Sequence, residues 1–212
     1  MNKKILLAGL IVLVLSFQYV TTFLASIFFD LESLYIKVGY ETYFNIMDLF
    51  SLVMPLCLAL SAPIRSGLVI GEWREHFRKI VFFISFPVVL AFIIYRFTGQ
   101  PFKDANIGVW LISPLAQDLF FGFIFGVILK YFPGDYTFRN IRVKKSLLLI
   151  GILFSLWHIP NFQTGEVGFV TFQLIYTFIF AFMIYHTRLW TGSILPILIT
   201  HMLTNYLAWH GV

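Results

Sequence analysis

Apolar and polar positions along this chain fall into long blocks rather than into an alternating or purely amphipathic rhythm. Seven blocks stay apolar over most of their length: 5–29, 43–64, 80–97, 106–132, 146–162, 168–186 and 193–210. At 1.5 Å of rise per residue, about 20 helical residues cover the roughly 30 Å of hydrocarbon in a bilayer. The pattern therefore predicts an all-α fold, a polytopic bundle of about seven transmembrane helices forming one integral-membrane domain over 1–212. Helices one to three, over 1–105, are assigned by hydropathy alone; helices four to seven occupy 106–212. The fifth block is short, and Pro160, with no N–H for the carbonyl of Leu156, is expected to end or kink it. The first begins Met1-Asn2-Lys3-Lys4, like a signal peptide. Its apolar stretch of about 25 residues exceeds a signal h-region and favours an uncleaved anchor.

Composition agrees with the blocks. Of 212 residues, 59% are hydrophobic and 12% charged, against about 45–50% and about 25% in soluble domains. A chain of this size cannot hide so much apolar surface in one water-soluble core, which excludes a soluble enzyme, a disordered tail and a fibrous repeat. The net charge of +5 is a topology signal rather than a nucleic-acid footprint. If seven spans alternate, Lys3, Lys4, Arg65, Arg74, Arg78, Lys79, Lys130, Arg139, Arg142, Lys144, Lys145 and Arg188 share one side. Only Lys37, Arg96 and Lys103 share the other. Cytoplasmic loops carry the excess of Lys and Arg, so the N-terminus is expected in the cytoplasm and the C-terminus outside, in a multi-pass protein of the cell membrane. The single cysteine, Cys57, lies in an apolar run and is expected to be a buried filler.

Polar side chains at membrane depth are costly unless protein satisfies them, so they mark candidate sites. Asp48, Gln117, Asp118, His158, Gln173, His201 and Asn205 are the candidates. Asp118 lies roughly 18 Å of helix from Lys130, His158 roughly 20 Å from Lys145, and His201 roughly 20 Å from Arg188. Three ionisable groups on three helices thus reach one level of the bilayer. Asp48, roughly 10 Å from Glu41, is expected at the external interface, and Gln173 reads as helix–helix glue. Asp118, Gly122 and Gly126 fall at i, i+4 and i+8 on one face, where Gly-xxx-Gly admits a close neighbour. His201 and Asn205 likewise stack at i and i+4.

Two runs then carry a resemblance. Phe154-Ser-Leu-Trp-His158, followed by Ile-Pro160-Asn161, is similar to the FxxxH motif of the CAAX-protease and bacteriocin-processing (CPBP, or Abi) intramembrane proteases. Thr191-Gly-Ser-Ile-Leu-Pro196 leading to His201-Met-Leu-Thr-Asn205 resembles that family's HxxxN motif, in the same order and final position. The resemblance spans roughly Ser113 to Ala208 and extends to the type II CAAX prenyl endopeptidases. The first motif departs from the family's pair of glutamates followed by arginine. Pro114 and Phe121 keep their places, but Gln117 and Asp118 stand for the glutamates and Gly122 for the arginine. An amide cannot take a proton, so Gln117 cannot serve as the water-activating base that the resemblance implies there.

The resemblance implies an intramembrane endopeptidase acting on a membrane-associated or lipid-anchored peptide. Asp118 with His158 would activate water, His201 and Asn205 would stabilise the oxyanion, and Gln117 would hold water or substrate. No cofactor is required on this reading. A zinc ion held by His158, His201 and Asp118 is the alternative, although no HExxH supplies a close-spaced ligand pair. A catalytically impaired member that binds or regulates membrane peptides is the second function, and a proton relay or small transporter the third.

Overall fold

The computed structural model describes residues 2–28, 35–39, 42–71, 73–98, 111–139, 141–159 and 167–210. Among them the chain forms helices α1 (Lys3–Phe28), α2 (Ile46–Ser61), α3 (Pro63–Ser66), α4 (Phe77–Thr98), α5 (Ser113–Tyr131), α6 (Lys145–Leu156), α7 (Val167–Thr191) and α8 (Leu195–His210). All but the four-residue α3 fall on the seven apolar blocks. Two of them, α5 and α7, are long and apolar enough to cross a membrane by length and composition.

Helix α5 is the axis of the bundle: α2, α3, α6 and α8 all pack against it. Its apolar residues run around every face, the signature of a helix enclosed by protein, and Phe120, Phe121, Ile124, Phe125 and Ile128 are all buried. Pro114 sits in its first turn, where a missing N–H is harmless. The outer helices differ. Phe82, Phe86 and Val89 on α4, Phe172, Ile175 and Ile179 on α7, and Leu195, Ile199 and Leu203 on α8 are exposed at helical spacing. Each forms an apolar stripe turned away from the protein.

Two glycine turns join the ends of the bundle. Pro63 opens α3, and Gly67, at φ +79°, closes it with its N–H on Ile64 and that of Leu68 on Pro63, a Schellman stop. Gly192, at φ +70°, ends α7 with its N–H on the Arg188 carbonyl. Ser193 then accepts from the Leu195 N–H through Oγ at 3.2 Å, capping the start of α8. The Ile194 N–H donates to the Gly67 carbonyl at 2.9 Å, so the two turns are bonded to each other. The Thr191–Pro196 run is therefore a helix stop, a cap and a helix start in six residues.

Gly122 and Gly126 admit a close neighbour as the sequence predicts, and that neighbour is the short α3 segment. A Cβ on Gly126 would collide with the carbonyl of Arg65, and one on Gly122 would lie 2.8 Å from the Ser66 carbonyl.

Several expectations are corrected. The fold is not helical throughout: antiparallel hairpins β1 (Tyr35–Gly39) with β2 (Thr42–Asn45), and β3 (Asp135–Phe138) with β4 (Ile141–Lys144), occupy two connections. Their β-branched and aromatic residues suit a pleated ladder. Helix α6 of the fifth block stops at Leu156, ahead of Pro160 as expected, but its 12 residues and roughly 18 Å of length are too little to cross. His158 lies in the turn beyond it. Arg188 is not in a loop but inside α7, 5% exposed. Cys57 is exposed on α2, not buried. The side chain of Asp48 and the residues Pro160 and Asn161 lie outside the described residues, as do Lys37's side chain, Arg96's side chain and Lys103.

Gly126→Val is expected to lower the unfolding temperature in detergent, at a cost of about 1–3 kcal/mol of overpacking. Gly168→Ala, where nothing lies within 4 Å of the new Cβ, should leave it unchanged or raise it.

Candidate functional site

Asp118 points from α5 toward α8 because it shares a face with the two packed glycines. It is wholly buried, and its Oδ1 lies 3.1 Å from Nδ1 of His201, itself 7% exposed. Desolvating an isolated carboxylate is expensive, so this partner is what makes an acid tolerable there. The imidazole is held by rings as well: Phe154 of α6 and Phe180 of α7 lie 5.7 and 5.4 Å from it, centroid to centroid. With Nδ1 committed to Asp118, His201 can meet a ligand only through Nε2.

His158 is fixed differently. Beyond the end of α6 its N–H donates to the Ser155 carbonyl at 3.0 Å. Its Nδ1 lies 3.1 Å from the Phe154 carbonyl. A carbonyl only accepts, so Nδ1 carries the hydrogen, and Nε2 of the neutral ring presents a lone pair. Phe154 contacts both imidazoles, at 5.8 Å from His158 and 5.7 Å from His201. It is the first residue of FxxxH, and its place is explained: 1% exposed, it is the common floor of the two histidines and packs on Phe121 at 5.0 Å. Trp157 closes the neighbouring wall against Phe17, Phe120 and Phe121. The Ser155 hydroxyl ties α6 to α7 through the Leu174 carbonyl at 2.7 Å.

Buried polar atoms almost always find partners. At this site several have none in the protein: Gln117 Nε2, Asp118 Oδ2 and Thr204 Oγ1. Gln117 and Asp118 are adjacent on α5, and Thr204 follows His201 by one turn on α8. Asn205, at the next position, is half-buried. The site thus offers a carboxylate oxygen and one imidazole lone pair as acceptors, with an amide, a hydroxyl and a second imidazole beside them. That is an equipment suited to water and a polar carbonyl rather than to an apolar ligand.

Of the residues singled out from sequence, Asp118 and His201 are in direct contact, Gln117 and His158 flank them in the same core, and Asn205 shares the His201 helix. Asp118 is paired with His201, where the sequence reading joined it to His158. The residues weighed as zinc ligands do not gather: among the described residues no three of His, Cys, Asp or Glu form a group that could hold a metal ion. Sequence reasoning passed over Thr204, visible only as a hydroxyl inside HxxxN, and Tyr185. Arg188 was counted with loop cations although its position two residues beyond the apolar block of 168–186 leaves it within reach of a longer helix.

Residues 105–207 match the family model described as type II CAAX prenyl endopeptidase Rce1-like, so the resemblance read from the histidine motifs is borne out. No curated protein and no solved structure matches the chain significantly.

His201→Ala should destabilise the protein by about 3–5 kcal/mol, because it strands a buried carboxyl. Asp118→Ala/His201→Ala should cost clearly less than the two single changes added, measured by denaturation of the detergent-solubilised protein.

Proposed function

We propose that this chain, whose residues 105–207 belong to the Rce1-like family of type II CAAX prenyl endopeptidases, hydrolyses a peptide bond of a membrane-associated or lipid-anchored substrate. The family is one of proteases; activity in this chain is our reading. The observation that carries it is the complementary fixing of two histidines on one phenylalanine: His158 with a lone pair at Nε2, His201 with Nδ1 anchored on a buried carboxyl.

On this reading a water held by Gln117 gives a proton to His158 Nε2 or Asp118 Oδ2 as its oxygen bonds to the scissile carbonyl carbon. The carbonyl oxygen takes the negative charge. His201, with hydrogens on both ring nitrogens, donates Nδ1–H to Asp118 and Nε2–H to that oxyanion, and the Asn205 amide donates beside it. Collapse breaks the carbon–nitrogen bond, and the proton taken from water passes to the leaving amine. Gln117 binds but cannot act as base. No metal takes part in any step.

The bilayer is the solvent on this reading. The outward apolar stripes of α4, α7 and α8 are what a soluble surface avoids. They support a bundle set in a membrane, with the loop charges of the sequence putting the N-terminus in the cytoplasm and α6 stopping at depth so that His158 meets substrate within the membrane. Irregular backbone there is tolerated where protein or a wet cavity surrounds it.

Purified protein incubated with a pool of membrane and prenylated peptides should cleave at least one of them. His158→Ala, His201→Ala and Asp118→Asn should each reduce cleavage by about 100-fold or more, and Gln117→Glu should leave it unchanged or raise it. A wild type that cleaves nothing, with activity appearing in Gln117→Glu, would instead favour a peptide-binding or regulatory member whose first motif is impaired. Chelator should have no effect; abolition would restore the zinc route.

A further inference from the structure

Tyr185 and Arg188 lie one turn apart on the same face of α7, and both are buried: Tyr185 is 0% exposed and Arg188 5%. The guanidinium donates to the carbonyls of Gly122 and Arg65, binding α7 to α5 and to the α3 turn, and its carbon lies 5.3 Å over the Phe125 ring. The Tyr185 ring packs on that same Phe125, at 4.9 Å. Gly122 is one turn from Asp118 on α5. The face of α7 bearing Tyr185 and Arg188 therefore lies along the face of α5 bearing Asp118 and Gly122.

Two polar atoms along this contact have no protein partner, Asp118 Oδ2 and the Tyr185 hydroxyl. The phenol is within electrostatic reach of both Asp118 and Arg188. One is an obligate acceptor when ionised, the other a donor. Leaving both unmet in a dry core carries a penalty that one bridging water removes.

We infer that Tyr185 is a positioning residue for the Asp118–His201 pair, its hydroxyl holding Asp118 Oδ2 through one bridging water while Arg188 clamps the same turn of α7 onto Gly122. Gly122 is the place where the first motif lacks arginine; here a guanidinium reaches that place from another helix. The inference rests on the protease reading only for its kinetic consequence. The geometry concerns the resting protein.

Tyr185→Phe removes one oxygen and keeps the ring. For a hydroxyl that merely lacks a partner, the change would leave activity intact and raise stability. The inference requires the opposite sign in both: kcat down ten-fold or more with KM within twofold, and an unfolding temperature lowered rather than raised, because Asp118 Oδ2 loses its partner. In protein labelled with 15N-histidine, the His201 signals, assigned by their loss in His201→Ala, should shift in Tyr185→Phe without substrate. Arg188→Lys, which keeps the charge but loses the fork that spans two carbonyls, should shift the same signals. The double variant should lose no more kcat than the worse single one, as for residues acting as a unit. Unmoved His201 signals in Tyr185→Phe, or a kcat within twofold of wild type, overturn the inference. If wild type cleaves no peptide, the protease reading fails by itself, and the spectrum alone decides Tyr185.

Discussion

A carboxyl group buried to zero exposure organises this molecule. Asp118 is shut away from bulk solvent, so a partner must come from the protein, and His201 at 3.1 Å is that partner. The contact requires α5 and α8 to stand at one separation and in one rotation. A small error in either would leave a charge or a polar nitrogen unpaired in a medium that penalises it heavily. The rings of Phe154 and Phe180 hold the imidazole against that error, and Phe154 carries the second histidine on its other contacts.

The rest of the packing keeps those two helices in register. The glycine turns at Gly67 and Gly192 are bonded through Ile194 and brought against α5 where Gly122 and Gly126 have no side chain to obstruct them. Arg188 locks the same junction from α7. An arginine whose partners are backbone carbonyls serves geometry well, because its planar fork reaches two segments at fixed angles. The base of the bundle is thus a rigid joint one turn from Asp118. The outer helices, which present apolar stripes, are free of that demand.

Much of this was legible in the chain. The apolar blocks locate seven helices, the Gly-xxx-Gly face of α5 is the packed one, and the two histidine motifs identify a family that residues 105–207 match. The misreadings have common causes. Cys57 was expected inside because apolar runs imply burial, yet α2 turns it outward, and an apolar run by itself does not say which of its faces meets the core. Arg188 was counted in a loop because a cation ends an apolar run, yet α7 continues to Thr191 once backbone carbonyls satisfy the guanidinium. The hairpins escaped because strands of four or five residues are too short to impose a period of two.

Position along a helix axis follows from counting residues, since the rise per residue is nearly constant. The chain by itself therefore determined which residues share each helix face. Which of them touch is another matter. Azimuth and separation between helices come from side-chain packing across long stretches of sequence, and only that packing decided that Asp118 meets His201 rather than His158. It also brought Arg188 to Gly122 and Arg65, because these outcomes depend on contacts between residues 66 and 123 positions apart, which no local pattern encodes.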